Sequence, residues 1–281
     1  MKSIILVAVL IVLPFSLARP ALGDIMIDPM RIVFSAPPGA VEEGTIRVTN
    51  VGEYPTSLSV QRIDFFFDAQ GGLVPLEPGT LGGASLNPLL EYTPSSLSLD
   101  PQETGLISYR VQLPPESIGS HWAGLVIEEE PQTPEEETEG IAVRTEFRIA
   151  YVVCLYHNPP GRPGEPWIRI TEVNAAIVSS QENRAATEQQ QRVVWISVTV
   201  ENLTDVVVTP TGWIEARDST GATVDGVEIH SFALLPHAQR TLIAQFVAED
   251  WEEGAYLVVA VLDAGGETLA AGQALVEVPP P

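Results

Sequence analysis

Lysine is all but missing: of 281 residues, Lys2 is the single one. A phosphate-binding loop of the Walker type needs its lysine, and Schiff-base chemistry needs one too, so both are excluded. There is one cysteine, Cys154, which rules out an internal disulfide. Set in the apolar run "AYVVCLY", it reads as a small buried side chain, since a reactive thiol needs a cationic neighbour. The four histidines, His121, His157, His230 and His237, are scattered, with no close pair at metal-ligand spacing. Helical periodicity is almost absent. "GASLN" at 83–87 begins like a nucleophile elbow, but Asn87 replaces the last glycine and no helix pattern follows. Carboxylates are so common that any pair of them is expected by chance. The sequence therefore predicts no enzyme, no cofactor and no metal site.

What is present starts with a leader. Lys2 precedes an apolar run, residues 4–13, and then Pro14 and Ala21-Leu22-Gly23. This charged start, short hydrophobic middle and small-residue end predict a signal peptide over 1–23, cleaved before Asp24. The run is shorter than the roughly 20 residues a membrane span needs, and no later segment is apolar enough. The mature chain is expected to be periplasmic or secreted, with no membrane span. Without Lys2 and Arg19 the 14 basic residues fall to 12 against 37 acidic ones, a net charge of −25. Such a field repels nucleic acid and anionic lipid, and its simplest reading is solubility.

The remaining length suits two domains. Short stretches rich in Val, Ile, Thr and aromatics recur between Gly, Pro, Asn and Asp clusters. Seven strands are predicted near 25–34, 44–51, 57–67, 95–99, 104–113, 121–129 and 141–156. Seven more fall near 167–179, 192–201, 206–217, 227–234, 239–247, 254–263 and 267–278. The fold class is all-β, two immunoglobulin-like β-sandwich domains following the signal peptide. The first domain covers 24–157 and the second 167–281. Between them, 158–166 is a Pro/Gly linker within "HNPPGRPGEPW". "EEEPQTPEEETEG" at 128–140 is too acidic to enter a core and reads as a solvated loop, with weak Ca²⁺ binding as the alternative. The five tryptophans read as core packing, or as a sugar-stacking platform if their faces are exposed. Asn202-Leu203-Thr204 is a glycan acceptor only in a eukaryotic secretory route.

The longest strand, "IAVRTEFRIAYVVCLY", alternates apolar and polar residues in its first half and is apolar on both faces in its second. Part of such a length, next to a loop, can lie unpaired, and an exposed edge is a template for another chain or a second copy. The other puzzle is Arg31, placed in "DPMRIVF" just before apolar neighbours. Its simplest reading is a place on the sheet's solvent face, snorkelling over apolar neighbours.

With the strands in order, residues 25–160 resemble the PapD-like periplasmic chaperones, which assist pilus subunits in diderm bacteria. "DPMRIVF" is similar to their first strand, "TIRVTNVGEYP" to their second, "LDPQETGLISYRVQLPP" to the stretch before their long loop, and "YHNP" to the end of their last first-domain strand. The resemblance implies a chaperone-like protein whose client is a pilin-like subunit with an open β-sandwich groove. An usher-like outer-membrane protein is implied as a further partner. It also implies strand donation by Val143, Phe147, Ile149 and Tyr151, and a client carboxylate held by Arg31. The family's second anchor is a lysine in the long strand; here Arg148 is the nearest cation. The rival expectation is a secreted structural or adhesive pair of sandwiches, binding protein or glycan through its loops.

Overall fold

A computed structural model describes residues 24–116, 119–130, 149–161, 167–180 and 191–280. The signal peptide, most of the acidic loop, Val143, Phe147, Arg148 and linker residues 162–166 lie outside the described residues.

The first half carries β1 (Ile25–Asp28), β2 (Arg31–Ser35), β3 (Val41–Asn50), β4 (Thr56–Phe67), β5 (Leu73–Leu76), β6 (Leu90–Thr93), β7 (Ser96–Leu99), β8 (Thr104–Gln112), β9 (His121–Glu129) and β10 (Ala150–Asn158). One sheet runs β1-β3-β8-β6 and the other β2-β10-β9-β4-β5, with β7 also on β4. Period-2 alternation buries one face: Ile46 and Val48 of β3, and Ile107 and Val111 of β8, are fully inside. The strand expected over 25–34 is two strands. Pro29 has no N–H to give a ladder, so pairing stops there and the chain crosses from one sheet to the other.

The second half carries β11 (Ile168–Ser180), β12 (Gln191–Asn202), β13 (Thr211–Arg217), β14 (Thr223–Ile229), β15 (Gln239–Val247), β16 (Gly254–Asp263) and β17 (Ala270–Val278), in sheets β11-β12-β15 and β14-β13-β16-β17. The strand expected at 227–234 starts earlier. The Asp218 carboxylate accepts from Thr220 N–H (2.8 Å) and Ala222 N–H (3.0 Å), which closes a tight turn and starts β14 at once. No strand pairing among the described residues joins the two halves.

Each sandwich has its own apolar core, one including Leu58, Leu125 and Leu155, the other Ile196, Val258 and Phe246. A buried asparagine braces the turn after β3 in one sandwich and after β12 in the other. Asn50 Nδ2 donates to Tyr54 O and Leu99 O; Asn202 Nδ2 donates to Val206 O, Leu234 O and Leu235 O. Asn202 is thus buried with its amide engaged, and offers no accessible glycan acceptor. Trp122 and Trp251 are core residues as expected, but Trp195 (42% exposed) and Trp213 (43%) stand on outer sheet faces. Among the described residues no helix is long and apolar enough to cross a membrane.

Candidate functional site

The edge of β10 is only half covered. On one side it pairs antiparallel with β9 over residues 150–157. On the other it pairs parallel with β2, but only from Cys154 (opposite Arg31) to Asn158 (opposite Ser35). Cys154 N–H donates to Met30 O, whereas Ile149 O accepts from Glu129 on the β9 side. Strand alternation then turns the N–H and C=O of Ala150 and Val152 toward the uncovered edge. Those groups have no strand partner among the described residues, and the row ends where β2 begins, at Arg31.

Arg31 stands in β2 with alternating burial: Ile32 and Phe34 pack on the first core, while Arg31, Val33 and Ser35 face away from it. That answers why an arginine interrupts an apolar strand. The face it joins is not open solvent everywhere, because the second sandwich sits against it. Phe65, Trp122 and Tyr156 of the first sandwich share an apolar cluster with Val207, Ala233 and Leu235 of the second. Trp122 Nε1 donates to Phe65 O at 2.8 Å, and Tyr156 meets Phe65 edge-on. Arg31 Nη1 reaches Ser231 Oγ at 3.4 Å, a contact between the two sandwiches. Burial pushes the Tyr156 hydroxyl far up in pKa, against the opposing fields of Arg31 and Arg240. Burial also raises the Cys154 thiol, opposed by its hydrogen bond to Tyr156 and by Arg31. Cys154 is therefore an inert packing residue.

Polar contacts set the angle between the sandwiches. Val207 N–H donates to Ser120 Oγ (2.8 Å), Asn158 Nδ2 to Val207 O (2.9 Å) and Ser120 N–H to Asp205 O (2.9 Å). The β4–β5 turn docks on β15: Thr241 N–H donates to Ala69 O at 2.7 Å. Gly71, at φ +87°, is needed there, since a Cβ would lie 2.3 Å from Arg240 Cζ.

Beside this junction lies a pair that sequence spacing did not reveal. His121 and His157 face each other across β9 and β10, with Nδ1 atoms 3.4 Å apart. Their separation along the chain hides the pair; only strand register brings them together. His157 Nε2 donates to Ala36 O at 2.9 Å, which leaves its Nδ1 as an acceptor. Burial lowers both imidazoles; the His157 charge adds to this for His121, whereas the Ala36 carbonyl and Glu42 oppose it for His157. Among the described residues no group of three His, Cys, Asp or Glu could hold a metal ion.

Of the residues named from sequence, Arg31 and Tyr151 are in described strands and Ile149 directly precedes β10. Tyr151 is half-buried and packs on the first core. Arg240, at the junction, carries no sequence signal, because the second half shows only generic sandwich patterning.

No protein-family model matches the sequence, and no curated protein does. Solved structures similar to the chain include the Pseudomonas aeruginosa CupB2 chaperone, 16% identical, covering 89% of this chain and 100% of that one at a TM-score of 0.44. The YadV chaperone is 15% identical, covering 90% and 100%, at 0.42. A chain of the CsuC–CsuE chaperone–tip adhesion subunit pre-assembly complex of Acinetobacter baumannii is 9% identical, covering 90% and 98%, at 0.40.

Proposed function

We propose that this is an exported, non-enzymatic chaperone-like protein that caps a pilin-like subunit by adding its β10 edge to the subunit's open sheet. The reading is carried by one observation: among the described residues, main-chain groups of Ala150 and Val152 without a strand partner lead straight to Arg31, which has no carboxylate partner there either. β-Augmentation takes affinity from such main-chain groups and specificity from alternate side chains. The direction of the client strand follows from chemistry. A strand lying in line with β2, and like it parallel to β10, would end with its C-terminus at Arg31. A guanidinium favours that carboxylate and repels the amino group an antiparallel strand would bring. The residues preceding β10, with Val143, Phe147, Ile149 and Arg148, would extend the same edge. Capping covers the client's apolar groove until a better strand arrives. An usher-like outer-membrane protein would receive the complex.

The test uses a labelled ten-residue peptide of alternating valine and threonine, made with a free C-terminal carboxylate and as the amide. Fluorescence anisotropy should show binding that Val152→Pro, which removes an edge N–H, abolishes. The carboxylate form should bind about tenfold or more tightly than the amide. Arg31→Ala should erase that preference. Equal binding of both forms to the wild type refutes the anchor, and no binding at all refutes the edge.

A further inference from the structure

The described part of this acidic chain contains eight arginines, and their partners sort them. Arg47, Arg110, Arg169 and Arg217 are ion-paired on the surface, to Asp28, Glu43 with Glu91, Glu201 and Glu215. Arg62 donates to Asn87 O and Leu90 O, and Arg192 to Pro279 O and Glu249 O. Two are left, Arg31 and Arg240, with neither a carboxylate within ion-pair distance nor a main-chain carbonyl among the described residues. Both lie at the junction of the sandwiches. Arg31 touches Ser231, and the Arg240 guanidinium lies over the ring of the next residue, Phe232, 4.8 Å from its centroid. Both charges act on the Tyr156 hydroxyl.

Arg240 is held rather than loose. Phe232 supports one face, Gly71 leaves room for it, and the field of Asp68 favours its charge. Its Nε is buried and has no hydrogen-bond partner among the described residues. A buried guanidinium N–H normally has an acceptor, because leaving one unmade is costly. In a chain where acids outnumber bases by 37 to 14, these two arginines at one junction have no carboxylate partner among the described residues.

We infer that Arg240 is the second arm of the carboxylate grip, so that the end of a bound strand is held by both sandwiches at once. This rests on the strand-capping reading above and adds to it that the second cation comes from β15, not from Arg148. A carboxylate is planar and accepts at two oxygens, so two guanidinium forks from different directions fit it. Seating of the client terminus then depends on the docking of the β4–β5 turn, because that turn places Arg240.

The experiment compares wild type, Arg240→Gln, Arg240→Lys and Arg148→Gln with the same two peptides. The readout is the ratio of carboxylate to amide affinity, which a general loss of folding does not change. Arg240→Gln should cut the ratio about tenfold, the factor one charge-assisted hydrogen bond supplies, and Arg240→Lys should restore part of it. Arg148→Gln should leave it unchanged. If the wild type discriminates but Arg240→Gln keeps the full ratio, the inference fails while the capping reading stands. If Arg148→Gln removes the ratio instead, the second arm belongs to the strand. A wild type that does not discriminate removes both.

Discussion

Replacing Asp64 with alanine should cost the first sandwich about 4 kcal/mol. Asp64 is fully buried on β4, and its carboxylate accepts from Ser85 Oγ (2.7 Å), Asn87 Nδ2 (2.6 Å) and Leu81 N–H (2.9 Å). The Ser85 hydroxyl can rotate away when the acceptor is lost. The Leu81 and Asn87 donors cannot, and each stranded donor costs about 1–3 kcal/mol. Two of them give roughly 2–6 kcal/mol, with the lower end reached if a water enters the vacated space. At a urea slope of about 2 kcal/mol/M the unfolding midpoint falls by roughly 2 M. Asp64→Asn should fall in between, because its NH₂ must face one of the same donors. Asn87→Ala should cost less than Asp64→Ala, since Asn87 Oδ1 is itself buried without a partner and is removed with it. The double variant should lose less than the sum of the singles, because they share one bond. A midpoint shift below about 0.5 M for Asp64→Ala, under about 1 kcal/mol, refutes the reasoning. The network matters to the candidate site because it holds the segment that donates Leu86 N–H to Trp122 O, under the cluster between the sandwiches.

The His121–His157 pair predicts acid sensitivity. Both imidazoles are lowered in the folded protein and titrate near 6.5 when unfolded, so stability is full above that value and is lost as pH falls below it toward the folded values. Urea midpoints at pH 7.5 and 5 should differ more for the wild type than for His121→Gln/His157→Gln; equal differences would remove the pair from the explanation. Gly71→Ala should cost about 1–3 kcal/mol, since it puts a side chain at φ +87° and against Arg240, and should lower the melting temperature; an unchanged value would mean that the turn is not docked as described.

The fold class was legible because strand signals are local. Alternation and turn residues mark β3, β8, β12 and β16 without knowledge of their neighbours. Arg31 was legible as an anomaly, a charge in an apolar strand, though its contact with Ser231 depends on how the sandwiches dock. What was hidden is whatever register or docking creates. His121 meets His157 only through the β9–β10 ladder, and Asp64 differs from thirty-six other acids only by the donors that surround it. Trp195 and Trp213 have the same strand context as Trp122; which face each occupies is fixed by pairing, and two of the three point outward.

The crossing at Pro29 fixes the order in which the first sandwich can be finished. β1 closes one sheet against β3 soon after both exist, but β2 cannot be placed until Cys154 to Asn158 have been made. During synthesis the opening residues therefore wait for nearly the last ones of their own half, and until then the β2 segment is an apolar ribbon without a berth. A protein proposed to shelter unfinished sandwiches thus passes through an unfinished sandwich of its own.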